Sequence, residues 1–546
     1  MRSPIILTLI IIPTTPHPTP PRAQEIAIEG IARVKVLEGC LSVHGYLLDA
    51  GKGSITCYGN GSLGWPLKCL PVFRGEYRGP EHPERCLISL EDVHEDRSSG
   101  IKYSAETTCS STPGGESSES TSAVARKCKT FQYEVAQVDS EQSKQYELWD
   151  QALAGIAEEV SESSRTLGSL SELTALVCGP KNVGKSTFCR RMVNKLLNSN
   201  AVVAYLEADC GQPEFTPPGS VSLTLIDAAI SGPPFMHPKK ATQSCFIGDT
   251  TPKNDPVLYF NSILYLLDWY AKHGVEAVQR MQPKGSSADH LVPLVINTQG
   301  WVKGLGFDIL DRLIQQIKPR HIVQLCTNTS KDLPKDESWK AATGSCVYYL
   351  QGHSFSAPAS MSALDTRSLA WLSFCHQCDG SRLNLRDSVQ DLFSKAASSL
   401  CRCYPFKVSL QSLRVVSISN YDLPERHLPN VLNGALVALA AQDGEEENSN
   451  HNSHLSSSSC YPFSGFGLVR SVDMKTGDLY ILTNIPDASV DKIELLVLGS
   501  LSLPQQLLQN ADFQSPYVAH GTITVEGTGA GFIKGRNNMK RGRLGK

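Results

Sequence analysis

The octapeptide Gly179-Pro-Lys-Asn-Val-Gly-Lys-Ser186 constrains this chain more than any other stretch. It has the spacing G-x-x-x-x-G-K-S. It follows the apolar run "LTALVC" and opens a helix-like segment, "KSTFCRRMVNKLL". A strand, a Gly-rich turn and a helix in that order make a phosphate cradle. Glycines let the turn aim its N–H groups inward, and the helix N-terminus adds partial positive charge. Gly179, Pro180, Lys181, Asn182, Val183, Gly184, Lys185, Ser186 and Thr187 are therefore the candidate nucleotide-binding set. Lys185 would bridge the β- and γ-phosphates of ATP, and Ser186 would hold Mg²⁺.

Strand-like and helix-like runs alternate after the cradle: "AVVAYLEAD", "DPVLYFNSILYLLDWYAKHG", "LVPLVINTQG", "FDILDRLIQQIKP" and "RHIVQLCTN". That order predicts an α/β fold with a parallel sheet covered on both faces. The predicted P-loop parallel-sheet domain spans 135–400. It is flanked by an N-terminal β-rich domain over 25–93 and a C-terminal β-rich domain over 401–546. Residues 1–24 read as an ill-defined start and 94–134, with "SSTPGGESSESTSA", as a disordered linker. Within the last domain, 442–459 reads as a disordered loop. The tail "KGRNNMKRGRLGK" carries six basic residues and no acid.

A chain of 546 residues needs more than one core. Its formal charge of −3 gives no global signal for nucleic acid, so such contacts would come from local patches. The 17 cysteines are odd in number and follow no compact framework, which suits reduced thiols in the cytosol or nucleus. Cys375 and Cys378 have a zinc-ligand spacing, but the one-residue gap between Cys401 and Cys403 does not. The apolar run Ile5 to Ile12 resembles a short secretory segment yet is too short to span a bilayer. No other stretch looks transmembrane.

The run "YLEADCGQPEFTPPG" supplies Glu207 and Asp209, two apart and so on one face of a strand. If that strand neighbours the cradle strand, both carboxylates point toward the γ-phosphate. One there can order magnesium and accept a proton from an incoming hydroxyl. Asp209 is the first choice for base and metal ligand, Glu207 the second, and Gln212 could bond a phosphate or a metal-bound water. The later strand ends in Asn297 and Thr298 rather than Asp, which shifts the metal role to Asp209. Asn-Lys-x-Asp, the guanine signature, is absent. Thr298, Gly300 and Trp301 follow at the carboxyl end of the sheet, where α/β proteins bind ligands. Trp301 could stack on a base or simply anchor packing. Lys239 and Lys240 form a small basic pair. Arg367 heads an apolar helical run from which it could close on the γ-phosphate.

The segments "GPKNVGKSTF", "EADCGQPEFTPPG", "CFIGDTTPKNDPVLY", "NTQGWVKGLG" and "HIVQL" together resemble the eukaryotic polynucleotide 5′-hydroxyl kinase family. Within it, "GQPEFTPPG" and "GLVRSVDMKTGDLYILTNIP" look like the nucleolar, ribosomal-RNA-processing branch. The resemblance covers 170–330 closely and 400–540 more loosely. It implies transfer of the ATP γ-phosphate to the 5′-hydroxyl of RNA after an endonuclease cut, with that nuclease as a partner. It implies a nuclear, nucleolar setting and no membrane. It carries Lys185 and Ser186 onto phosphate and Mg²⁺ binding. Asp209 and Gln212 fall to metal and hydroxyl activation, and Thr298 through Trp301 to the substrate clasp. The family's lid uses arginines. Here Arg367 alone fits, and Trp371 stands where a second is expected. An RNA-associated ATPase or assembly factor and a small-molecule kinase remain the competing readings.

Overall fold

The computed structural model describes residues 141–503 apart from 167, 283–289, 328, 331, 335–337, 353–362, 380–388, 419–424 and 442–459. It also describes residue 507 and, ahead of 141, strand segments between 6 and 137. The basic tail, the polar loop 442–459 and most of the Ser/Thr-rich stretch 94–134 lie outside the described residues.

The central sheet has seven strands: β1 (Thr174–Cys178), β2 (Val203–Glu207), β3 (Ser220–Ile226), β4 (Gln243–Phe246), β5 (Leu294–Asn297), β6 (His321–Cys326) and β7 (Cys346–Gln351). Their spatial order is β4-β3-β2-β5-β1-β6-β7. The five strands from β2 to β7 in that order are parallel. The other two, β3 and β4, extend the sheet as an antiparallel edge. That edge departs from the all-parallel reading, because Pro217, Pro218 and Gly219 turn the chain straight back beside β2. Every residue of β1, β2, β3, β5 and β6 is buried, as strands in a sheet covered on both faces must be.

Helices α1 (Glu141–Arg165) and α2 (Lys185–Leu196) cover one face. The other is covered by α3 (Pro256–Met281), α4 (Leu305–Ile317), α6 (Ala363–Asp379) and α7 (Val389–Arg402), while the short α5 (Ser338–Thr343) packs on α4. Asp255 starts α3 by accepting the Leu258 N–H at 2.9 Å, with Pro256 at the first helical position.

The C-terminal sheet has six strands: β8 (Phe406–Ser409), β9 (Arg414–Ser417), β10 (Leu436–Ala440), β11 (Gly465–Val472), β12 (Asp478–Thr483) and β13 (Leu495–Leu498), in the order β8-β12-β11-β10-β13-β9. It joins the central sheet at β4. Phe246 donates its N–H to Tyr461 O at 2.8 Å, and its ring meets Phe463 and Phe466 at 5.8 and 6.1 Å. Phe466 also meets Trp371 of α6 at 5.3 Å. At the N-terminal side, the long strand Gln24–Glu38 pairs antiparallel with Cys86–Asp92 and Phe131–Gln137, and Ile6–Ile11 pairs with Cys86–Asp92. This region reaches the turn after α2 through Asn198, which accepts the Leu47 N–H at 2.8 Å and donates to Gly45 O at 2.9 Å.

Among the described residues no helix is long and apolar enough to cross a membrane. None of the ten cysteines whose side chains are described, from Cys178 to Cys460, is in a disulfide. Cys375 is buried in the core, while the carbonyls of Cys401 and Cys403 accept hydrogen bonds from Arg470.

Candidate active site

The strands β1, β2, β4 and β5 all end on one rim of the sheet, and four loops meet there: 179–184, 208–212, 247–254 and 298–304. The phosphate loop follows from backbone geometry. Gly179 has φ 145°, and a Cβ there would lie 2.5 Å from Leu325 O, so only glycine lets the loop leave β1 beside β6. Asn182 sits at φ 63° and Gly184, the α2 N-cap, at φ 89°. No side chain caps α2, so its first-turn amides are available to an anion. Lys185 is buried and donates to Pro180 O at 2.8 Å. Burial presses its ammonium below the ordinary lysine range, opposed first by the Asp209 carboxylate.

The acidic pair divides. The second strand ends at Glu207, and β5 lies between β2 and β1, so β2 does not neighbour the cradle strand. Glu207 is 1% exposed. It accepts from Asp209 N–H at 2.9 Å, Glu214 N–H at 3.2 Å and the Asn297 amide at 3.0 and 3.2 Å. Burial, then the nearby Asp209 carboxylate, push its pKa well above the ordinary glutamate value. Asp209 is half-buried. Its Oδ1 accepts from Gly211 N–H at 2.9 Å and Gln212 N–H at 3.2 Å, a tight turn that holds the carboxylate past the strand end. Strand alternation therefore does not put the two side chains to the same use.

Asn297, noted in the sequence only as standing where an Asp was expected, proves to be a hub of the site. Aligned with both Val177 and Glu207 in the sheet, it donates to Glu207 and also to Ser186 Oγ at 3.2 Å. Its Oδ1 is buried without a hydrogen bond. A second missed group lies below: Glu214 pairs with Arg190 and His237, both at 2.9 Å. Burial works to raise Glu214, but Arg190 and His237 together hold it below the usual range. The Ser186 hydroxyl, the Asp209 carboxylate and Asn297 Oδ1 are oxygens of the kind a hard divalent cation takes.

On the other side, Thr298 is buried and its hydroxyl donates to Val177 O at 2.9 Å, stitching its loop to β1. A Cβ on Gly300 would come within 2.8 Å of the Lys181 backbone, so this loop lies directly on the phosphate loop. Trp301 is half-buried, packed against the core, and Lys253 Nζ stands 5.3 Å from its ring centroid. Asp249 accepts from Asn254 at 2.6 Å and from Ser500 Oγ at 2.9 Å. Lys239 is paired with Asp227 at 2.7 Å, while Lys240 is exposed. Arg367 is half-buried on α6. That helix packs on α7, on Pro234–Met236 and on Phe466.

Comparison with known proteins places these residues in context. Residues 179–357 match the family described as mRNA cleavage and polyadenylation factor CLP1 P-loop, and residues 401–504 match the NOL9-like, C-terminal domain. The chain is 33% identical over 373 residues to Polynucleotide 5′-hydroxyl-kinase NOL9 of Arabidopsis thaliana, covering 66% of this chain and 94% of that protein. It is 27% identical over 401 residues to the Homo sapiens protein of that name, covering 67% of this chain and 54% of the human one. The chain thus spans about half the human relative. A solved structure of a wild-type Clp1p–Pcf11p complex matches with TM-score 0.52 at 15% identity, over 91% of this chain and 98% of the matched one, which shows a shared fold.

Proposed function

The chain belongs to the polynucleotide 5′-hydroxyl-kinase family of the NOL9 type, and from that premise we propose that it transfers the γ-phosphate of ATP to the 5′-hydroxyl of RNA. The observation that carries this reading is Asp209, fixed by two backbone amides on the rim that also bears Lys185 and Ser186. In the reaction, the RNA 5′-oxygen bonds to the γ-phosphorus as the bond to the ADP oxygen breaks. Asp209 receives the hydroxyl proton. Lys185 and the backbone N–H groups of Lys181 to Thr187 neutralise charge that develops on the phosphate oxygens. Mg²⁺, held by Ser186 and Asp209, would supply further neutralisation of that charge. Gln212 orients the phosphate, and Glu207 acts through Asn297 to position Ser186. Thr298, Gly300 and Trp301 line the acceptor side, with Arg367 as a lid residue.

The substrate reading goes further, to 5′-hydroxyl ends left by an endonuclease in precursor ribosomal RNA. It places the protein in the nucleolus with that nuclease as partner. It rests on the likeness to the nucleolar branch, including the match over 401–504. Residues 135–400 form the kinase domain in this reading, and 25–93 and 401–546 are its β-rich flanks.

The test uses γ-labelled ATP and a 5′-hydroxyl RNA oligonucleotide. Label appears on the RNA, and Lys185→Ala or Asp209→Asn lowers the rate by about 10²–10³-fold or more. ATP hydrolysis without labelled RNA would make the protein an RNA-associated ATPase instead.

A further inference from the structure

The opposite rim of the sheet, where β6 and β7 begin, holds a second cluster that the kinase chemistry does not use. His321 and Cys346 are the first residues of these two strands and stand side by side in register. Glu159 of α1 faces them. One ligand atom from each of the three lies within 4.8 Å of the others, and among the described residues no other trio of such groups converges this way.

His321 is fully buried, and its Nε2 has no hydrogen bond. The Glu159 Oε2 beside it stands at 3.7 Å, beyond hydrogen-bond length. The other ring nitrogen, Nδ1, is 3.3 Å from the Tyr348 hydroxyl. With Nδ1–H donated to Tyr348, Nε2 carries a lone pair directed at Glu159 and Cys346. An ion pair between Glu159 and Arg320 accounts for Glu159 Oε1 but leaves the histidine nitrogen unexplained.

We propose that His321 Nε2, Cys346 Sγ and Glu159 Oε2 bind a zinc ion, with water in its fourth position. A nitrogen, sulfur and oxygen set at tetrahedral zinc bond lengths separates neighbouring ligand atoms by about 3.3–3.6 Å; His321 Nε2 and Glu159 Oε2 stand at 3.7 Å, and all three ligand atoms lie within 4.8 Å of one another. The mixed set selects a borderline-soft ion such as Zn²⁺ over Mg²⁺. The Cys346 thiol gives up its proton to solvent when the S–Zn bond forms. Tyr348 is the outer partner that fixes the imidazole. The ion ties α1 to the start of β6 and β7, adding to the Glu159–Arg320 ion pair there and to the Trp149 indole bond to Gln351 O, 2.9 Å, at the far end of β7.

The full-length protein, stripped with chelator and kept reduced, is titrated with Co²⁺ as a spectroscopic stand-in. The expected result is one equivalent bound with tetrahedral visible bands and a thiolate-to-cobalt charge-transfer band. Cys346→Ser loses the charge-transfer band. Tyr348→Phe keeps it with affinity weakened about 10–100-fold. Zn²⁺ raises the melting temperature of the wild-type chain and not of Cys346→Ser. The absence of a stoichiometric band in the wild type, or an unchanged band in Cys346→Ser, overturns the proposal.

Discussion

The two sides of the rim are built by different means. The phosphate side draws on residues 177–214 and Asn297, and its polar groups find partners within the central sheet: Glu207 with Asn297, Glu214 with Arg190, Lys185 with the loop carbonyl of Pro180. The other side draws on 247–254 and 298–304, and it leans on the C-terminal sheet. Ser500 holds Asp249, and Phe246 at the head of that loop is seated between Phe463 and Phe466. A phosphate group is small and is held by one loop and one helix end. A polymer end needs a wider support, which the second sheet would provide under the proposed function.

The largest expected effect tests that division. Phe466 is buried, touching Phe463 at 5.0 Å, Trp371 at 5.3 Å and Phe374 at 6.2 Å. Phe466→Ala should cost about 3–5 kcal/mol of stability through the cavity it leaves. Thermal unfolding measures that cost. Nucleotide affinity, measured below the lowered melting point, should stay near wild type while transfer to RNA falls. A parallel loss of ATP binding would show that the two sides are not separable.

A smaller effect comes from the buried carboxyl on the phosphate side. Because burial and Asp209 raise the pKa of Glu207, the folded state binds its proton more tightly than the unfolded chain does. Its contribution to stability is therefore present below the ordinary glutamate value of 4.5 and is lost as pH rises toward the folded value. In that window the wild type should lose up to about 1.4 kcal/mol per pH unit from this one group. Glu207→Gln should flatten the slope in urea unfolding run at several pH values. An unchanged slope would mean that the donors around Glu207 (Asp209 N–H, Glu214 N–H and the Asn297 amide) keep it ionised in the folded state.

The phosphate side was readable because its backbone leaves little choice. A positive φ at Gly184 and a strand passing 2.5 Å from a Gly179 Cβ admit few residues, so a spacing identifies them. The α/β order was readable for the same kind of reason, since buried parallel strands are unbroken apolar runs. The antiparallel edge of β3 and β4 was not, because Ser220, Ser222 and Thr224 break up the apolar run of β3 and β4 is only four residues long. Neither was the Glu214, Arg190 and His237 group, whose members lie 23 or 24 positions apart and meet only after β2 turns back. Asn297 was noticed only for not being Asp. Its amide became informative once β5 was seen to lie between β1 and β2.

The smallest effect is the most pointed. Ser500 Oγ lies 2.9 Å from Asp249 Oδ2 and 3.2 Å from Gly248 O, while its N–H donates to Gly248 O at 2.7 Å. Ser500→Ala removes only the hydroxyl, and the backbone tie between the sheets remains. The loss should be about 0.5–1.5 kcal/mol. If Asp249 positions the acceptor loop, that energy should appear as a rise of a few-fold to about tenfold in KM for RNA, with KM for ATP unmoved. If Phe466→Ala removes transfer but Ser500→Ala leaves KM for RNA untouched, the second sheet supports the loop only by holding the fold together. The contrast between the two sides would then be one of stability and not of substrate placement.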